Sequence, residues 1–446
     1  MSGKLAVAVA SMLILMSTFT CNIQPVKSQP KTWTVDDDEP ADFHTIQEAI
    51  NAANSGDTIF VRVGTYHEHI LVNKTNLSLL AENKSTIIDG DEMRKPIIYI
   101  EATGAYISGF TIQRGNKGIT NWGGYAVISN NIITHCAYGI YFEQTAYSPK
   151  IINNAMSFNI YGIYLAVDSF NATFCNNEIT ENSNYGIWVD PSGSHVTCGT
   201  NISGNLIANN RVGMKLWRSD YGTIIGNHIA NNTDYGVDIN YCFHNEFCHN
   251  SFINNTLQAR SWEYCSSNIW DYDYPSGGNY WSDYTGVDAD ADGIGDTSLI
   301  IDANNTDRYP LMAPFTTFDA GTWNGKPYTV DIVSNSSVSN FQVDTFQKTI
   351  SFNVTCLEET AGFCRITIPN IIAEELWQGN YTVLLNGEPC SFRNWTDATN
   401  TYIYVNYTYS EHQIIIITEF PSPILLPLLV IALITAAMVY KRKSGN

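Results

Sequence analysis

Basic side chains are scarce in this chain. It has 446 residues, with 23 Lys and Arg against 43 Asp and Glu, a formal net charge of −20. That balance repels phosphate backbones and argues against nucleic acid as a partner. It suits a solvated, cation-tolerant surface. Long apolar runs are also rare and are confined to the two ends. At residues 1–20, MSGKLAVAVASMLILMSTFT, one Lys precedes an apolar stretch and polar residues follow. This reads as a secretory signal peptide within residues 1–29, cleaved between Thr20 and Gln29. At the other end, residues 421–440 form a run just long enough to span a bilayer. Lys441, Arg442 and Lys443 follow, which places a short tail, 441–446, inside and everything upstream outside. The expected location is therefore a single-pass cell-membrane protein with an extracellular ectodomain. Thirteen Asn-x-Ser/Thr sequons agree with that, and an oxidising compartment would permit the cysteines after Cys21 to pair.

Helical periodicity is missing from the middle of the chain, and a different period stands in its place. Asn131, Asn154, Asn177, Asn205, Asn227 and Asn250 recur at spacings of 23, 23, 28, 22 and 23 residues. Five residues after each come Cys136, Asn159, Asn182, Asn210, Asn232 and Asn255. A glycine follows soon after, at 139, 162, 186, 213 and 236. A fixed period of this length marks a stacked solenoid. The short β-type runs between Asn/Gly turns make each repeat one turn of a parallel β-helix. Like asparagines in successive coils can hydrogen-bond one another, and Asn tolerates the left-handed backbone of a corner.

Alternation then assigns the core. Ile152, Cys175, Ile225 and Cys248, two before the first Asn, are expected inside. So are Ile133, Met156, Ile179, Ile207, Ile229 and Phe252, two after it. After each Gly, Ile140/Phe142, Ile163/Leu165, Ile187/Val189, Met214/Leu216 and Val237/Ile239 should do the same. The 28-residue gap holds DPSGSHVTCGTN, expected to bulge outward as a loop. Upstream, Thr45 and Glu48 read as a capping box, and Ile46, Ala49, Ile50 and Ala53 as the apolar face of a short helix ended by Gly56. That helix should lid the open end of the solenoid. About nine or ten coils give a rod of roughly 45 Å. Beyond residue 315 the period stops. Runs such as ISFNV, CRITI, YTVLLNG, TYIYVNYTY and QIIIIT, with the turn Asn386-Gly387, read as a small β-sandwich over 316–418.

The stretch TIQEAINAANSGDTIFVRVGTYHEHILVN resembles the start of pectin-lyase-like right-handed β-helix proteins. The repeats, closed by GGNYWSDYTGVDADADGIGD and DRYPLMAPF, resemble the NosD-type family, named for an accessory protein of nitrous oxide reductase. Many archaeal cell-surface proteins are similar. The resemblance covers residues 32–315 and implies an all-β chain: a right-handed parallel β-helix, then the sandwich, then a transmembrane helix. It says little of activity, because that fold hosts lyases, hydrolases, adhesins and non-enzymes.

Three constellations could carry chemistry. Asp288, Asp290, Asp292 and Asp296 match positions one, three, five and nine of an EF-hand-type calcium loop. Leu299 stands where the bidentate Glu should be, so Asp302, Asp307 or water would have to substitute. The expected role is a structural calcium ion at the end of the solenoid; an acidic surface turn is the plainer reading. The second is CFHNEFCH, 242–249, whose soft ligands suit copper or zinc, and copper is what the NosD resemblance implies. Against copper, alternation puts Cys248 in the core, and Cys242 has Cys265 one coil away at disulfide-compatible spacing. No His/Met-rich tract is present. Cys356 and Cys364 flank a short loop and form a second candidate pair, leaving Cys390 unassigned. The third is an outward stripe two residues after each Gly: Tyr141, Tyr164, Trp188, Lys215 and Asp238, with Asp190 and Asp220 near it. Three stacked aromatics would offer a ribbon to sugar rings, or would serve only to stabilise the sheet.

No persuasive pair of catalytic carboxylates stands out. The sequence thus reads as a membrane-anchored surface protein binding carbohydrate or an envelope polymer. A polysaccharide lyase or glycoside hydrolase, and a copper-related accessory protein, are the alternatives.

Overall fold

The structure, a computed structural model, describes residues 29–419 apart from 92–93, 144–145, 167–168, 192–196, 263, 357–360 and 409. The signal segment and the 421–440 run lie outside the described residues. Among those described, no helix is long and apolar enough to cross a membrane.

The repeated phrase folds as three short strands per turn. One coil runs Lys150–Ile152, Ala155–Ser157 and Tyr161–Leu165. Each strand pairs in parallel with its counterpart one repeat away, so that Met156 meets Ile179 and Tyr164 meets Trp188. Stacking builds two ten-stranded sheets and one of nine, a right-handed-type parallel β-solenoid.

Asparagine ladders run along it. From Asn131 through Asn154, Asn177, Asn205, Asn227 and Asn250 to Asn279, each Nδ2 donates to the next Oδ1 at 2.9–3.1 Å. Asp307 ends the ladder, accepting from Asn279 N at 2.8 Å. A second ladder joins Asn159, Asn182, Asn210, Asn232 and Asn255 at 2.8–3.2 Å. A third, not foreseen, links Asn245, Asn268 and Asn305.

The left-handed corner belongs to the preceding residue. Asn130, Asn153, Asn176, Asn209 and Asn231 have φ of 54–57°, and the ladder asparagines after them do not. This division of labour accounts for the Asn-Asn pairs. It also corrects the core assignment upstream of each corner. A left-handed residue interrupts strand alternation, so the inward side chain sits three before the ladder Asn, not two. Ile151, Phe174, Ile202, Ile224 and Phe247 fill the core, whereas Ile152, Cys175 and Ile225 are only half-buried. Cys248, by contrast, is fully buried as expected. The columns after the corner and after the glycines are buried as expected.

The inserted segment is not all loop. Thr197–Cys198 joins Ala146–Tyr147, Ser169–Phe170 and Ser219–Asp220 in a fourth, short parallel sheet along one corner. At the start, Ile46–Ala52 forms the expected lid, with Ile46, Ala49 and Ile50 buried. Thr45 Oγ1 accepts from Glu48 N at 3.3 Å. The remaining donors are taken by Glu68, whose oxygens accept from Ile46 N at 2.8 Å and Gln47 N at 2.9 Å. The helix ends at Ala53, ahead of Gly56.

Residues 315–418 form two five-stranded antiparallel sheets around a shared core that includes Ile332, Phe352, Ile366, Ile403 and Ile414. Asn386 and Gly387 both take positive φ in the predicted hairpin. The helix Asn370–Trp377 was not foreseen.

His249 marks the junction between the two parts. Its ring stacks on Phe315 at 4.4 Å and its Nε2 lies 3.2 Å from Ser276 O. Burial pushes the imidazole down to about 4, and the nearby Arg365 adds to the effect. The unfolded chain therefore binds more protons below about pH 6.5. Stability from this group rises with pH between roughly 4 and 6.5 and is lost on acidification. On acidification through that window the melting midpoint of the parent chain should fall relative to that of a His249→Phe variant. The comparison is with the variant because the carboxyls of Asp307 and Asp331, raised by desolvation to about 7 and about 6, act in the opposite sense in both chains. An unchanged pH slope in the variant would show that another group sets it.

Candidate ligand-binding face

The nine-stranded sheet carries the outward stripe, and its register places the predicted residues in one column. Tyr141, Tyr164, Trp188, Lys215 and Asp238 are successive partners, and Arg260 continues the column. Beside it runs a second aromatic row, Tyr138, Tyr161 and Tyr185, which sequence reasoning missed. Its signal was visible: a Tyr immediately precedes Gly139, Gly162, Gly186 and Gly236.

The six rings pack as one double row. Tyr164 stacks on Trp188 at 4.2 Å and 13°, Tyr138 on Tyr161 at 4.8 Å and 10°, and Tyr161 on Tyr185 at 5.9 Å and 21°. Tyr141 meets Tyr164 edge-on at 5.4 Å. Most ring faces therefore turn toward one another, and the accessible parts of these half-buried side chains are edges. Partial burial raises the phenol pKa of Tyr138, Tyr141, Tyr164 and Tyr185, so they remain neutral donors. Cations close both ends. Lys117 Nζ sits 3.6 Å from the Tyr141 ring centroid, and Lys215 Nζ lies 5.7 Å from that of Tyr185.

The carboxylates near the stripe differ in availability. Asp238 is 2% exposed, held by Arg260 at 2.6 and 2.9 Å and by Trp262 Nε1 at 3.0 Å. It acts inside the protein rather than toward a ligand. Asp220 lies on the fourth sheet and accepts from Phe243 N at 2.8 Å. Asp190 follows the Trp188 strand; burial raises its pKa, with Lys215 and Arg218 opposing. Two of the three carboxylates are thus engaged by the protein's own donors.

The acidic loop lies past the last coil. Asp288, Asp290 and Asp292 each offer an oxygen within 4.8 Å of the other two. Asp296 Oδ2 turns back to Ala289 N at 2.7 Å. Neither proposed substitute reaches the loop. Asp302 binds Asn304 N and Asn305 Nδ2, and Asp307 binds Asn279 N and Trp281 Nε1.

The members of both candidate cysteine pairs lie close to one another. Cys242 N lies 3.5 Å from Cys265 Sγ. Cys364 Sγ lies 3.3 Å from Ser334 Oγ and 3.4 Å from Tyr407 Oη. Within CFHNEFCH, His244 stacks on Tyr221 and His249 packs on Phe315.

Copper prefers thiolate, thioether and imidazole ligands together. Among the described residues three groups gather enough donors to hold an ion: His67–Asp89–Asp91, Asp36–Asp37–Asp38 and Asp288–Asp290–Asp292. These offer carboxylates and one imidazole, and in the first Arg114 already pairs with both aspartates. The donor set does not fit copper. That first group also escaped sequence reading, although its members sit about one coil apart.

Against known proteins, residues 50–286 match the family described as periplasmic copper-binding protein (NosD). A "Cell surface glycoprotein" of Methanothermus fervidus is 39% identical over 94 residues, which is 20% of this chain and 16% of that protein. Among solved structures, pectate lyase Pel9A aligns with a TM-score of 0.44 at 16% identity, over 59% of this chain and 85% of that one. An alginate lyase from Paenibacillus aligns with a TM-score of 0.31 at 13% identity, over 56% and 97% respectively. The family match takes in just over half of the chain and most of the coils described above, and the chain belongs to the NosD family of parallel β-helix proteins.

Proposed function

We propose that this is a cell-surface β-helix protein that binds a carbohydrate or envelope polymer along the face bearing Tyr141, Tyr164 and Trp188. The double row of six rings, repeated coil by coil, carries this reading. A polymer with its own repeat can lie along such a face and meet the same groups at each step. Since most ring faces are stacked on one another, contact would come from ring edges and phenol hydroxyls. Lys117, Lys215 and Asp190 would add charge at the ends. Surface location is supported by the family's periplasmic description and by the name of the Methanothermus relative. Catalysis is not part of the proposal, because Asp238 and Asp220 are held by internal donors.

A glycan array probed with the purified chain tests this. Tyr164→Ala combined with Trp188→Ala should lower apparent affinity by at least about tenfold, near 1.4 kcal/mol. Unchanged binding, or an array with no signal for the parent chain, would defeat the proposal.

A further inference from the structure

The loop 288–296 has a feature that its acidity alone does not explain. Asp292 is 2% exposed, and its two oxygens fare differently. Oδ1 accepts from Ile294 N at 2.8 Å, while Oδ2 is buried with no hydrogen-bond partner. A buried carboxylate oxygen without a donor is costly. The Arg365 charge and the Tyr274 hydroxyl lie near enough to favour the ionised carboxylate, but neither makes a hydrogen bond to Oδ2. Arg365, itself 1% exposed, directs Nε to the main-chain oxygen of Asp292 at 3.0 Å and Nη2 to that of Pro275.

The rest of the loop shapes a place for a cation. Asp288 accepts from Asp292 N at 3.0 Å and from Gly293 N at 2.8 Å, which curls the chain around the carboxylates. Asp288, Asp290 and Asp292 then converge. A cleft of about 170 Å³, bounded by Tyr274, Asp290, Asp292, Asp296 and Arg308 among others, opens beside them. Hard oxygens without thiolate or imidazole suit calcium.

The same loop is where the sandwich is seated. Besides Arg365, Arg393 donates to Ala291 O at 2.9 Å. Gly293 has φ of 88°, and a Cβ there would come within 2.8 Å of Arg365 Cδ. Two arginines from two sandwich strands thus grip three consecutive residues at the end of the solenoid.

We propose that Asp288, Asp290 and Asp292 bind one calcium ion, with Asp296 beside them, and that the ion fixes the loop on which Arg365 and Arg393 seat the β-sandwich. Calcium occupancy then sets how firmly the rod is joined to its second domain. Leu299 replaces the bidentate ligand, so affinity should resemble weak extracellular modules, with half-saturation on the order of 10⁻⁴–10⁻³ M.

Hydrogen exchange of the full chain, stripped with chelator and titrated with CaCl₂, tests the proposal. Calcium should slow exchange in both 288–296 and 362–369, saturating in that range. Asp290 is solvent-exposed, so Asp290→Asn should leave the fold intact while raising the half-saturating concentration about tenfold. Asp292→Asn should abolish the response. Equal exchange with and without calcium in the parent chain would overturn the proposal. So would parent-like responses in both variants. Slowing confined to 288–296 would overturn the joint.

Discussion

Replacing Asn177 by Leu is expected to destabilise the solenoid by about 3–5 kcal/mol, from buried groups left without partners at ~1–3 kcal/mol each. Leu keeps the branching at Cγ and is larger than Asn, so no cavity forms and some overpacking adds to the cost. The main loss lies in the ladder. Asn177 Oδ1 accepts from Asn154 N at 3.0 Å and from Asn154 Nδ2 at 3.1 Å. Asn177 Nδ2 donates to Ile151 O at 2.8 Å and to Asn205 Oδ1 at 3.0 Å. The substitution strands the main-chain donor of Asn154 and the main-chain carbonyl of Ile151 where water cannot reach, while Asn154 Nδ2 keeps Ile128 O and Ile152 O. The neighbouring Asn176→Gly is the control. Asn176 has φ of 54°, which Gly adopts freely, so its cost should stay within about 0.5 kcal/mol. Denaturant melts measure the difference. Hydrogen exchange should show the loosening centred on the adjacent coils, as expected of a quasi-one-dimensional stack. Equal costs at 176 and 177 would mean that the ladder adds nothing beyond its corner.

The ladder was legible because a polar residue recurs where strands need apolar ones, and stacked amides that satisfy one another make such a position tolerable. Its partition between two adjacent asparagines was not legible. Both residues of each Asn-Asn pair suit either task, and only the backbone separates them. The misplaced columns at Ile152, Cys175 and Ile225 follow from that one ambiguity, since a single left-handed residue shifts everything upstream by one position. The helix Asn370–Trp377 was hidden for another reason. NIIAEELW is short, and its isoleucines read equally well as strand; burial of Ile372, Leu376 and Trp377 on one face decides for helix. At the candidate face, the column Tyr141–Tyr164–Trp188 followed from counting. The adjoining row did not, because alternation alone would have placed Tyr138 on the same side as Ile140. The ion pair of Asp238 with Arg260 required knowing that the coil after residue 240 keeps register, although its repeat phrase has faded.

The glycines of the repeat lead to the second large effect, and conformational freedom is not its cause. Gly139, Gly162, Gly186, Gly213 and Gly236 all lack positive φ. Space is what they supply. A Cβ on Gly162 would lie 2.5 Å from Gly186 O and 2.7 Å from Ile179 Cγ2, and the next coil repeats the pattern, with Gly186 facing Gly213 O at 2.6 Å. The obstructing atom is a main-chain oxygen that no rotamer change can move. Gly162→Ala must therefore push two coils apart beside the second ladder, whose Asn182 Nδ2 is 3.3 Å from the same Cβ position. The expected cost is about 3 kcal/mol, at the upper end of ordinary overpacking. The usual Gly→Ala effect, a gain of ~0.4–1 kcal/mol through the unfolded state, has the opposite sign. Gly226→Ala separates the two causes. Gly226 has φ of 66° and nothing within 4 Å of its Cβ position, so its cost should be the left-handed backbone alone, about 1–2 kcal/mol. If Gly162→Ala proves as stable as the parent chain, coil spacing is softer than the 2.5 Å approach implies, and steric exclusion would not be the reason that glycine returns at each turn.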